Sequence, residues 1–282
     1  MRSVTRWPPV LAVVALSCAG ATPSSPKQAT TEPTLARPSV LAGVTATQPS
    51  PTTGRMAHIP EATYRMGSEV GESDERPVHE VHVSAFEMDV TEVTVAEYGQ
   101  CVRAGGCVHA PTAIEFPGAS AIDHQLFDSG CNDDGPERQD QPENCVDFAI
   151  ADAYCHWAGK RLPTEQEWEY AACGGNCDQA LAARGGAVAI LGDDHWPFAT
   201  RVAKGSLGPF GLYDMADNVW EWTASPYCSY ERQDCGDSRR VIRGGSWSFG
   251  DFLKVRLTDR SPSAPSTRNP NLGFRCARTA SP

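Results

Sequence analysis

Eleven cysteines, seven histidines and 35 acidic against 24 basic side chains are the reactive material of this 282-residue chain. Setting Cys18 aside leaves an even set of cysteines, as a disulfide framework in an oxidising compartment requires. Several have near neighbours: Cys101 with Cys107, Cys131 with Cys145, Cys173 with Cys177, and Cys228 with Cys235. Each such pair could pin a local loop, and Cys155 and Cys276 are then left for each other. Their bridge would close a loop of about 120 residues and contribute on the order of 4–5 kcal/mol in the chain-entropy picture. Spacing alone proves no connectivity. The rival chemistry is zinc, but Cys173-Gly-Gly-Asn-Cys177 has no second pair at a matching spacing. His79 and His82 are three apart in an alternating stretch, so on a strand they point to opposite faces and make poor joint ligands. His124, His156 and His195 could bind a redox metal, although their spacing matches no recognisable motif.

One stretch stands out for what it lacks. "RGGSWSFGDFLKVR", Arg243 to Arg256, falls in the cysteine-free interval between Cys235 and Cys276. The elements around it can be read from caps and periodicity. Thr94 with Glu97 forms a capping box for a helix that Gly105 can end. Asp147 caps a second helix running to Gly159, with Ile150, Ala151, Tyr154, Cys155 and Ala158 on one face. Thr164 with Glu167 opens a third, which turns Trp168 and Ala172 inward. "PVHEVHVSAFEM", "RRVIRGG" and "LGFRCAR" read as strands, and "GLYDMADNVWEWT" as a turn-rich aromatic segment. From about Val108 to Asn144 a long loop with two cysteines is expected, a length that is usually functional or stapled.

The N-terminus has the pattern of an export signal: Arg2 and Arg6, an apolar run from Val10 to Leu16, then small residues. Cys18 lies where a bacterial lipoprotein would be lipidated, although Ala15 takes the position usually held by leucine. A Pro/Thr/Ser-rich stretch follows that cannot bury enough apolar surface to fold. The expected organisation is a signal over 1–18, a disordered linker over 19–54 and a domain over 55–282. The expected location is the bacterial cell envelope, periplasm or outer membrane, with membrane contact through the lipid anchor. A formal net charge of -11 disfavours nucleic acid as a partner.

"CHWAGKRLPTEQEWEYAA", "GLYDMADNVWEWT", "RVIRGGSW" and "NLGFRCAR" follow one another in order, behind an opening "YRMGSEVGESDERPVHEVHVSAFEMDVTEVT". Together, over about residues 55–280, they resemble the domain of formylglycine-generating enzymes, also called sulfatase-modifying factors. The resemblance implies a single loop-rich α+β domain, C-type-lectin-like, with little regular secondary structure. It also implies the Cys155–Cys276 bridge. It implies a structural calcium held by the side chains of Asp214 and Glu221 and the carbonyls of Asp217 and Val219, a hard-oxygen set. Asp217 stands where the family usually has glycine. A second family calcium site does not align cleanly with this chain.

The family's enzymes oxidise a substrate cysteine with oxygen, using two cysteines that hold copper(I), a soft ion suited to thiolates. Those cysteines lie three and eight residues after the serine of "RGGS". That serine is Ser246, so the positions are Phe249 and Lys254, and copper binding by thiolate is lost. The expected pocket is Ser246, Trp247, Phe249 and Lys254. The reading is a scaffold without the known catalyst, binding an envelope protein, a peptide or a glycan. The alternative is an oxidoreductase of the same superfamily with a different metal or substrate.

Overall fold

Three helices start at the capping residues that the sequence marks. Thr94 and Glu97 cap each other at the head of α1 (Val95–Arg103), and Thr164 and Glu167 do the same for α4 (Glu165–Cys173). Asp147 caps α3 (Phe148–Trp157) by accepting from the Ile150 N–H. Ala151, Tyr154 and Cys155 are buried on α3, while Ile150 and Ala158 are half-buried. One helix was not expected: α2 (Ala121–Phe127) lies inside the long loop, with its own Ser120/Asp123 capping box and no buried residue. With no apolar face to bury, periodicity could not reveal it.

The computed structural model describes residues 54–132, 135–177, 198–204, 207–231, 235–236, 238–247 and 256–280. These belong to one compact unit, 49–282. Cys18, His195, Phe249 and Lys254 lie outside the described residues, as do the leader and nearly all of the linker.

Among the described residues, nine short strands make three sheets. β4 (Phe86–Asp89) runs antiparallel between β1 (Met56–Ile59) and β9 (Ala277–Thr279). β2 (Ala62–Met66) and β3 (His79–Val83) form a hairpin. β5 (Trp220–Pro226), β6 (Arg240–Arg243), β7 (Arg260–Ser263) and β8 (Leu272–Gly273) form a sheet ordered β7-β6-β5-β8, with only the β5–β8 pair parallel. The strand expected over "PVHEVHVSAFEM" is thus two strands in different sheets, and "LGFRCAR" likewise splits into β8 and β9. On β3, His79 stacks on Tyr230 with ring centroids 4.6 Å apart, whereas His82 meets Thr63.

Among the described residues, two large apolar clusters fill the interior, with a third, small one of Ile114, Cys131 and Cys145. The first gathers Phe86, Met88, Trp168, Leu212 and Met215; the second gathers Tyr98, Tyr154, Trp222, Phe274 and the Cys155–Cys276 bridge. The four local bridges also form: Cys101–Cys107, Cys131–Cys145, Cys173–Cys177 and Cys228–Cys235. The Cys131–Cys145 bridge staples the segment that carries α2.

Candidate functional site

The described interior contains an unusual amount of charge, arranged in two clusters that meet at Trp168. α4 turns Glu165, Trp168 and Glu169 inward, because its capped start fixes the helix phase. On β6, Arg243 shares the inward face with Val241, two residues away. It is fully buried and donates to Glu169 Oε2 (2.6 Å), Glu165 Oε1 (3.1 Å) and the carbonyls of Leu257 (2.9 Å) and Thr258 (3.2 Å). Arg260 of β7 adds a bidentate pair to Glu165 at 2.7 and 2.9 Å. Two carboxylates therefore face two guanidiniums. Burial pushes Glu169 above its ordinary value of 4.5, and Arg243 pulls it back. Arg243 is raised despite burial, because Glu169 and Glu165 favour its charge.

The second cluster is not balanced. Trp168 Nε1 donates to Glu221 Oε2 (2.7 Å), and Arg275 forks onto Glu221 with Nε at 2.8 and 3.0 Å and Nη2 at 2.7 Å. Glu92 and Asp214 are buried beside this pair and act on Arg275 electrostatically. Glu92 Oε1 accepts from Asn218, while its Oε2 lies 4.0 Å from Arg275 Nη2 and takes no hydrogen bond among the described residues. Burial, followed by the charge of Asp214, raises Glu92 well above the usual carboxylate range. Three carboxylates here accompany one guanidinium. Among the described residues no three His, Cys, Asp or Glu side chains stand together as a metal-holding group, so a cation here would have to draw on backbone carbonyls as well.

Of the four residues expected to hold calcium, Asp214, Asp217, Val219 and Glu221 are all buried in this one turn and the strand it feeds. Asp214 and Asn218 both adopt positive φ, 60° each, which folds the turn back on itself. Asp214 Oδ2 accepts from the Ala203 N–H (2.5 Å). Both oxygens of Glu221 are engaged by Arg275 and Trp168, so Glu221 contributes charge rather than an open coordination position. A cation would rest on Asp214 and the carbonyls of Asp217 and Val219. The sequence reading missed Glu92 and Arg275. Arg275 carried a signal, a lone charge inside the otherwise apolar "LGFRCA", whereas Glu92 in the polar "DVTEVT" carried none.

The pocket residues divide. Ser246 is fully buried and its hydroxyl accepts from Asn271 (3.3 Å). Trp247 packs edge-on against Phe198 with centroids 5.2 Å apart, and its indole N–H has no hydrogen-bond partner among the described residues. At the far end of the stretch, Arg256 pairs with the buried Glu75. Phe249 and Lys254 lie outside the described residues, so of the expected pocket only Ser246 and Trp247 are placed. His124 and His156 each bond within their own helical turn, to Asp128 and to the Asp152 carbonyl.

The profile of the sulfatase-modifying factor enzyme 1-like domain matches residues 41–280. The mouse "Inactive C-alpha-formylglycine-generating enzyme 2" is 30% identical over 280 residues, covering 80% of this chain and 86% of that protein. The "Formylglycine-generating enzyme" of Streptomyces coelicolor is 31% identical over 294 residues, covering 83% and 92%. Among solved structures, PvdO from Pseudomonas aeruginosa superposes with a TM-score of 0.62 at 24% identity, covering 83% of this chain and all of that one, which bears on the fold alone. Ordered motifs, five disulfides, an α+β fold and a matching profile agree: the chain belongs to the sulfatase-modifying factor family, the family of the formylglycine-generating enzymes.

Proposed function

We propose that this protein is an exported lipoprotein, anchored through Cys18, whose domain binds a peptide, a glycan or another envelope protein and does not make formylglycine. One observation carries the reading. Five disulfides consume every cysteine of residues 55–282, while Phe249 and Lys254 occupy the positions of the copper ligands. No thiolate pair remains for copper(I), and a disulfide sulfur is a poor substitute for one. The relationship to a mouse protein named as inactive is in keeping with this.

The test is purification of the full chain from membranes of a bacterial host, with metal analysis and a cysteine-peptide assay on the same sample. The expected result is membrane association that is lost in Cys18→Ser, no stoichiometric copper, and no aldehyde product by mass spectrometry. One copper per chain with turnover of the peptide would overturn the reading.

Calcium belongs to the same proposal, as a structural ion that neutralises the Asp214 cluster. At a calcium concentration about 100-fold above Kd, binding stabilises the fold by about 2.7 kcal/mol. For a domain of this size that is on the order of 5–10 °C in Tm. Melting in EDTA is therefore expected to fall by that amount, to recover with calcium, and to lose its calcium response in Asp214→Ala. Identical melts in EDTA and calcium would remove the ion from the account.

A further inference from the structure

The five disulfides differ in what surrounds them. Cys173 and Cys177 belong to or pack on the first apolar cluster, Cys101, Cys107, Cys155 and Cys276 the second, and Cys131 and Cys145 the third. Among the described residues, Cys228 and Cys235 belong to none of the three, and both are half-buried. In each of the other four bridges at least one cysteine is 3% exposed or less. A disulfide is opened by a thiolate that must reach one of its sulfurs, so access decides which bridge exchanges first. Apolar packing repels that charged attacker, and only Cys228–Cys235 lacks the protection on both sides.

What this bridge holds lies close to buried charge. It closes a short turn beyond β5, with a sequence separation of 7. The Cys228 carbonyl accepts from Arg260 Nη1 (2.9 Å). Two residues on, the Tyr230 ring meets the Arg260 guanidinium at 4.3 Å and the His79 ring at 4.6 Å. The Tyr230 hydroxyl donates to Glu165 Oε1 (3.1 Å). The turn therefore lends one carbonyl and one phenol to the Glu165–Arg260 pair. Cys228 and Tyr230 also line a cavity of about 330 Å³, with His79, Glu165, Ser225 and Arg260.

We propose that Cys228–Cys235 is a redox-sensitive latch, which a dithiol reductant opens to release Tyr230 and the Cys228 carbonyl from the Glu165–Arg260 pair. A thiolate of the reductant attacks one sulfur of the bridge, forming a mixed disulfide and freeing the other cysteine. The second thiolate of the reductant then displaces the first cysteine. Two electrons pass to the protein, the reductant leaves as its own disulfide, and Cys228 and Cys235 each take up one of its two protons. Arg260 keeps its fork on Glu165, so the cluster loses neutral partners and not its charge balance. The other four bridges stay closed, which confines the change to the turn and the cavity beside it.

The experiment is graded reduction of the purified chain with dithiothreitol under native conditions, followed by alkylation and peptide mapping by mass spectrometry. Cys228 and Cys235 are expected to be alkylated at least about tenfold faster than any other bridged cysteine. In the chain reduced at this bridge alone, hydrogen exchange is expected to rise in peptides covering Tyr227–Tyr230 and Arg260–Ser263, while α1 and α3 stay protected. Cys228→Ala/Cys235→Ala is expected to show the same raised exchange with no reductant present. Should that variant fail to fold, the order of reduction and the exchange of the reduced wild-type chain still decide the outcome. Earlier or simultaneous opening of another bridge, or selective opening with exchange unchanged in those two peptides, would overturn the proposal.

Discussion

Arg243→Met is expected to destabilise the protein by about 3–5 kcal/mol, read as a lower urea midpoint at unchanged m-value. The side chain is fully buried and holds two carboxylates, two carbonyls and the face of Trp168, 5.3 Å from the ring centroid. Methionine matches much of its length but leaves Glu169 buried opposite no charge. The penalty is that of an unpaired buried ion, which exceeds the net worth of the pair itself. Two consequences follow. Glu169→Gln introduced into Arg243→Met is expected to restore part of the loss, because the two residues share one network. The loss is also expected to shrink as pH falls. Without Arg243 the folded-state pKa of Glu169 lies further above its ordinary 4.5, so its cost is full above that raised value and vanishes below the unfolded one. A deficit under about 1 kcal/mol, or one that grows in acid, would show that the cluster is solvated in a way its burial contradicts.

The second large effect concerns the Cys155–Cys276 bridge. Its sequence separation is 121, against 4 for Cys173–Cys177. The chain-entropy relation assigns the long bridge about 5 kcal/mol and the short one about 2 kcal/mol. The double variant Cys155→Ala/Cys276→Ala is therefore expected to lose more than twice what Cys173→Ala/Cys177→Ala loses in denaturant melts. Both long-bridge cysteines are fully buried in the cluster with Tyr154 and Phe274, so alanine also leaves a small void that adds to the difference. Equal losses would mean that loop-closure entropy does not set the worth of these bridges.

What the sequence made legible follows from how local the signal is. Capping boxes at Thr94 and Thr164 and the Asp147 cap act over three residues, and all three helices begin where they place them. Adjacency suggested the four short bridges but left their connectivity open, and the structure forms them. The buried ions were not. Nothing in "RVIRGG" says that Arg243 points inward to α4, since the partners Glu165 and Glu169 lie more than seventy positions away in the chain. Glu92 and Arg275 are likewise brought together only by the fold. The α2 helix escaped notice because it buries nothing, although Ser120 and Asp123 carried the same capping signature used elsewhere. The Asp214–Glu221 turn was read from its motif as an expected calcium site, but the engagement of Glu221 by Arg275 was beyond the reach of any local pattern.

β4 pairs with the first strand on one side and the last on the other. A chain made N-terminus first cannot finish that sheet until residues 277–279 have emerged. The four short bridges can close behind the advancing chain, whereas Cys276 reaches Cys155 only at the end. The non-local β4–β9 pairing and the long bridge therefore form after the local pairs, as the loop-closure cost of distant contacts dictates. Loss of β9 would leave one edge of β4 unpaired and the chain open to proteolysis.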